Sequence, residues 1–166
     1  MEPVKIFESE GLLLAGCLVK YEDGGNDWAK WEEMDAKAEA DQKYAHHHLI
    51  NGHRAHSVFF YPDDSIYVFT GLEVTGEVSD TEWEYLKFPT AIYAMFDLDY
   101  KIEQSSQYEA IDKWIKKNKD NYKRIKWDAG GRLISSEFAI YIYDHEGKFK
   151  DDNIVELWIP FVKVYS

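Results

Sequence analysis

The chain has 166 residues, enough for one domain or two tightly fused half-domains. Its 31 acidic residues outnumber 19 basic ones, a formal charge of −12, which argues against nucleic acid and against an anionic membrane surface, since both need a basic footprint. There is no apolar run of about 18 residues, and the opening MEPVKIFESEG has neither a basic n-region nor an apolar h-region, so a soluble cytoplasmic protein is the expectation.

Leu12 to Val19 is a continuous apolar run, read as a buried strand between Gly11 and a turn at Glu22–Gly25. Cys17 lies within it as a small buried residue, and as the single cysteine it excludes an intramolecular disulfide. Asn26 or Asp27 caps a helix over 27–44, with Trp28, Trp31, Met34 and Ala38 at helical spacing. His46, His47 and His48 follow, with His53 and His56 nearby. Three consecutive histidines at a helix end point in different directions, and no cysteine or H-E-x-x-H accompanies them, so neither a metal site nor a cofactor is expected. Ser57–Tyr61 and Ile66–Phe69 form a hairpin about the turn 62–65, and 75–88 is a connector.

Pro89 then opens a strand, Thr90–Phe96. Ser106 and Glu109 have capping-box spacing for a helix over 105–118, with Tyr108, Ile111, Trp114 and Ile115 on one face. The bases from Lys113 to Lys126 read as a solvated face, and Gly130-Gly131 as a turn. Phe138–Tyr143 and Ile154–Val164 close the chain as two strands around a polar loop.

The order strand, helix, strand, strand thus occurs twice. The expected fold is α+β: one domain, 1–166, made of pseudo-repeats 1–78 and 86–166 joined by the connector. Each half alone leaves an exposed sheet edge, and pairing the halves edge to edge removes it. That arrangement gives an antiparallel sheet with the helices on one face and a concave ligand cleft on the other.

Glu156 is a lone carboxylate in the apolar run Ile154 to Val164. Strand alternation puts it on one face with Trp158 and Pro160, and puts Val155, Leu157 and Ile159 on the other. In the preceding strand Phe138, Ile140 and Ile142 read as core, leaving Ala139, Tyr141 and Tyr143 on the open side with Glu156. Tyr93 and Met95 share a face of the strand after Pro89. A carboxylate among such rings suits an organic cation, with each cation–π contact contributing about 0.5–2 kcal/mol. Two bland readings stand beside it: the rings, 16% of residues, fill a core, and Glu156 faces water.

The segments Leu14-Ala-Gly-Cys-Leu-Val19, Glu84 to Phe96, Tyr108 to Lys117, Phe138-Ala-Ile-Tyr141 and Val155-Glu-Leu-Trp-Ile-Pro160 together resemble the GyrI-like, AraC-type effector-binding domain over nearly the whole chain. The resemblance implies the same duplicated fold and a pocket for amphipathic, often cationic, organic molecules. It matches the family's pocket acid to Glu156 and its neighbouring aromatic to Trp158. Where some members carry a second acid, this chain has Ala139. The first strand begins near the N-terminus, so no helix-turn-helix is expected before it. The leading expectation is sensing or sequestration of an aromatic cation, bound by Glu156, Trp158, Tyr141, Tyr143, Tyr93, Met95 and Ala139. The alternatives are a hydrolase of reactive aromatic toxins using Glu156 and Tyr141, a role that some free-standing members imply, and a sensing subunit of a separate transcription regulator.

Overall fold

The computed structural model describes residues 1–20, 50, 54–62, 64–77, 83–127, 136–144 and 154–164. The helix expected over 27–44, the turns at 22–25 and 130–131, and His46, His47, His48 and His53 lie outside these residues. The described elements are β1 (Lys5–Ser9), β2 (Leu13–Lys20), β3 (Arg54–Phe60), β4 (Tyr67–Glu73), β5 (Glu84–Lys87), β6 (Ala91–Asp99), α1 (Gln104–Lys117), β7 (Tyr122–Arg124), β8 (Lys126–Trp127), β9 (Ser136–Asp144) and β10 (Ile154–Lys163).

The long strands coincide with the apolar runs of the sequence. Four short strands do not. β1 and β5 flank the sheet, and β5 lies inside the segment read as a connector. These segments become strands because β6 and β2 offer them unpaired edges, a tertiary cause that local pattern does not carry. The start of α1 also differs. Its N-cap is Glu103, which places Ser106 inside the first turn, with its hydroxyl donating back to the Glu103 carbonyl at 2.9 Å. Ser106 and Glu109 therefore do not form a capping box.

The strand order is β1-β6-β10-β9-β3-β4-β2-β5, with every pairing antiparallel. From the central β3–β9 pair outward, one half runs β3-β4-β2-β5 and the other β9-β10-β6-β1. The two halves of the sheet thus meet edge to edge, and each has a short strand on its outer flank: β5, from the segment read as a connector, and β1, which lies in the stretch read as the first repeat but pairs with β6 of the other half.

The links between repeats shape this sheet. Only Glu10, Gly11 and Leu12 separate β1 from β2, and only Phe88, Pro89 and Thr90 separate β5 from β6. Each link must bridge six places in the strand order, about 29 Å if the sheet were flat. Four Cα steps reach about 14 Å at most. The sheet therefore curls until its ends approach, and the Phe88 N–H donates to the Leu12 carbonyl at 2.8 Å, tying one link to the other. Gly11 makes its turn at φ 80°, in the left-handed region that favours glycine.

Inside the curl lies one core cluster, including Leu12, Leu14, Val58, Phe60, Phe69, Phe88, Tyr93, Phe138, Ile140 and Ile142. Leu14 and Tyr93 come from strands far apart in the order, so this is the concave face. α1 packs outside, where Ile111 and Trp114 join Phe96, Leu157, Ile159 and Phe161. A third cluster, with Cys17, Leu72 and Trp83, lies against the other half.

Gly16 of β2 and Gly71 of β4 face each other directly. A Cβ on Gly16 would run into the carbonyl of Thr70, and one on Gly71 into that of Ala15. Their bare backbones let the two strands close up, a common use of glycine at a sharp sheet bend. Gly16→Ala should therefore cost about 2–3 kcal/mol of stability, read from urea unfolding. Gly76→Ala, whose added Cβ meets nothing within 4 Å, should stay within about 0.5 kcal/mol of wild type.

Candidate functional site

Residues directly opposite each other in antiparallel strands share a face. Glu156 pairs with Asp97 on one side and Ile142 on the other, and Ile142 pairs with His56. Asp97, Glu156, Ile142 and His56 thus form one row across four strands of the concave face. Two residues along, Met95, Trp158, Ile140 and Val58 form the next row. Pro160 pairs with Tyr93, and the outer strand β1 adds Lys5 opposite Met95 and Phe7 opposite Tyr93.

This register corrects the expected set of companions. Glu156 lies opposite Ile142 and Leu157 opposite Tyr141, so Ala139, Tyr141 and Tyr143 fall on the convex face. Alternation within one strand says which residues are together. It does not say which residue of the neighbour lies opposite, and a one-residue change of register reverses every side chain. Tyr93, Met95 and Trp158 are on the face of Glu156; the remaining three are not.

Glu156 is 4% exposed. The Trp158 indole N–H donates to its Oε1 at 3.2 Å. Around Trp158, Phe7 packs edge-on with centroids 4.9 Å apart, Tyr93 is tilted at 5.7 Å, and His56 stands at 89° to the indole at 6.1 Å. Phe7 and Tyr93 also stack on each other at 5.8 Å. The Lys5 ammonium sits 4.9 Å from the Phe7 centroid, so one ring of the group already faces a cation.

Two polar atoms of this face have no hydrogen-bond partner among the described residues: the Tyr93 hydroxyl and Asp97 Oδ1. Burial pushes the Tyr93 phenol up, which keeps it a neutral donor. Asp97 is pushed above the usual carboxylate range, first by burial and then by the nearby charge of Glu156. Among the described residues, no three His, Cys, Asp or Glu side chains group as a metal site would require.

The tyrosines of the convex face have their own arrangement. The hydroxyls of Tyr108 and Tyr141 lie 2.8 Å apart, and Phe59 packs edge-on against Tyr141. A groove of about 190 Å³ runs here beside α1, lined by Tyr61, Asp112, Arg124 and Glu137 among others. Burial, followed by the bond to Tyr108, drives the Tyr141 phenol upward, and burial lowers the Arg124 guanidinium.

The residues of this face that the sequence reading did not include are Phe7, Asp97 and His56. Phe7 lies in β1, where the run Lys5-Ile-Phe-Glu-Ser9 carries only a short strand signal. Asp97 lies one residue beyond the strand end read at Phe96. His56 was grouped with the metal candidates, although it begins the alternation that continues through Val58 and Phe60.

No protein-family model and no curated protein sequence matches the chain. Solved structures do. SAV2435 bound to tetraphenylphosphonium superposes with a TM-score of 0.64 at 14% identity, covering 98% of this chain and 94% of that one. The EcmrR C-terminal domain gives 0.53 at 12% identity, covering 96% and 97%. The chain has the GyrI-like effector-binding fold. EcmrR in its DNA complex matches with a TM-score of 0.56 at 12% identity, and 96% of this chain covers 57% of that protein. In this GyrI-like fold no described helix is long and apolar enough to cross a membrane.

The position of Asp97 sets a pH dependence. Its pKa in the folded protein is raised above the unfolded value, so folding favours its protonated form. Its charge therefore opposes folding above the folded-state pKa, and that penalty disappears as the pH falls below about 4, the unfolded value. Asp97→Asn should raise the urea midpoint at pH 7, with the gain vanishing at pH 3. A gain that is the same at both pH values would show that charge is not the cause.

Proposed function

We propose that this protein binds bulky aromatic organic cations on its concave face, at Glu156, and so senses or sequesters them. One observation carries the reading. A carboxylate only 4% exposed shares a face with Phe7, Tyr93 and Trp158, and a second carboxylate, Asp97, is its direct cross-strand neighbour. Burial and the charge of Glu156 both disfavour the Asp97 carboxylate, and a bound cation offsets that cost. The ring faces favour the same charge, by about 0.5–2 kcal/mol per desolvated contact. A delocalised cation suits this setting better than a compact ammonium, because it sheds its hydration more easily. The structurally similar SAV2435 is bound to an aromatic cation, tetraphenylphosphonium, which supports this reading.

Residues 1–166 act in this proposal as a single effector-binding unit in a soluble, cytoplasmic setting. The similarity to part of EcmrR in its DNA complex supports a second role, as the sensing partner of a separate transcription regulator. Hydrolysis by Glu156 with Tyr141 lacks the same support, since the two side chains lie on opposite faces of the sheet.

Fluorescence titration with tetraphenylphosphonium tests the assignment. Glu156→Gln should weaken binding by about tenfold or more, the effect of removing one charge-assisted contact. Trp158→Ala should weaken it about as much, through lost ring contact. Tyr141→Phe, on the convex face, should stay within about twofold of wild type. Unchanged affinity in Glu156→Gln would remove Glu156 as the counter-charge.

A further inference from the structure

The concave site has unmet polar groups at two heights. Tyr93 and Asp97 both belong to β6, four residues apart on one face, with Met95 between them. Strand geometry separates their Cα atoms by about 13 Å. At one end Asp97 Oδ1 is buried without a hydrogen-bond partner among the described residues, next to Glu156. At the other end the Tyr93 hydroxyl is buried with the same vacancy, in a residue of 0% exposure. An unsatisfied buried hydroxyl is destabilising, and such groups are uncommon in folded proteins unless something else uses them.

Between the two ends lie Met95 and Trp158, whose indole N–H is used by Glu156. Phe7 lies opposite Tyr93, and Lys5, opposite Met95, holds its ammonium over the Phe7 ring. The unmet groups are thus an acid where a positive charge fits and, four residues along the same face of β6, a neutral donor. Burial holds the phenol protonated, so it offers a hydrogen bond and no negative charge.

From this layout we infer that the site recognises a bipolar ligand: an aromatic cation that also carries a hydrogen-bond acceptor oxygen, such as a carbonyl or ether, at the end remote from its charge. Asp97 and Glu156 hold the charge, the rings hold the aromatic body, and the Tyr93 hydroxyl donates to the acceptor. This rests on the concave-face reading above and adds to it the polarity and orientation of the ligand. A cation without an acceptor uses only half of the site.

A matched pair of probes tests it: tetraphenylphosphonium and the same cation bearing one para-acetyl group. Wild type should bind the acetyl derivative about fivefold more tightly, the effect of one neutral hydrogen bond. Tyr93→Phe, which removes only the oxygen, should bring the ratio of the two affinities to about one. Its thermal midpoint should match or exceed that of wild type, showing that the fold is intact. Equal affinities in wild type, or a preference that survives in Tyr93→Phe, would overturn the inference. Glu156→Gln separates it from the reading beneath. If that variant weakens both probes alike and Tyr93→Phe changes no ratio, the cation site stands and the acceptor site falls. If it weakens neither probe, both fall.

Discussion

Two links of three residues each hold this fold in shape. Glu10–Leu12 and Phe88–Thr90 each join opposite ends of the strand order, and a hydrogen bond from Phe88 to Leu12 ties them together. A flat sheet would put their ends about 29 Å apart, a distance that four Cα steps do not reach. Curling is therefore imposed by chain length. The paired glycines Gly16 and Gly71 let β2 and β4 close up within that curl, and the large rings Phe60, Phe69, Phe88 and Phe138 fill its inside.

The curl also creates the candidate site. A flat sheet would leave Glu156 at an open surface, ringed by solvent. Once the sheet closes over it, Glu156 is almost wholly buried and shares its face with Asp97. The burial that disfavours the Asp97 carboxylate in the free protein also strengthens attraction to a cation. Trp158 serves both sides of the balance: its N–H satisfies one carboxylate oxygen, and its ring anchors Phe7, Tyr93 and His56. Stability given up at such a position is a common mark of a binding surface.

The duplicated order of elements makes a second contribution. Each half of the sheet leaves one edge for the other, so β3 meets β9 at the centre, and the outer edges carry the short strands β5 and β1. Short outer strands limit unwanted pairing with other chains. β1 does more than guard an edge, because it brings Phe7 and Lys5 to the aromatic group. A flanking strand thus becomes part of the candidate site. The convex face is used differently: α1 covers it, and Tyr108 and Tyr141 satisfy each other beside the buried part of the helix.

Much of this was legible in the residue pattern. Apolar runs located β2, β3, β4, β6, β9 and β10, and helical spacing located α1, because burial on one side imposes a period that local sequence records. The repeat of strand, helix, strand, strand pointed to the duplicated sheet. The isolated acid among apolar residues singled out Glu156, and alternation joined it to Trp158. The tertiary structure alone decided which residues stand across from them. Register arises from pairing between strands distant in sequence, and it moved Ala139, Tyr141 and Tyr143 to the far face while bringing Asp97, His56 and Phe7 to the near one. Periodicity is a property of one strand; a site assembled from five is a property of their alignment.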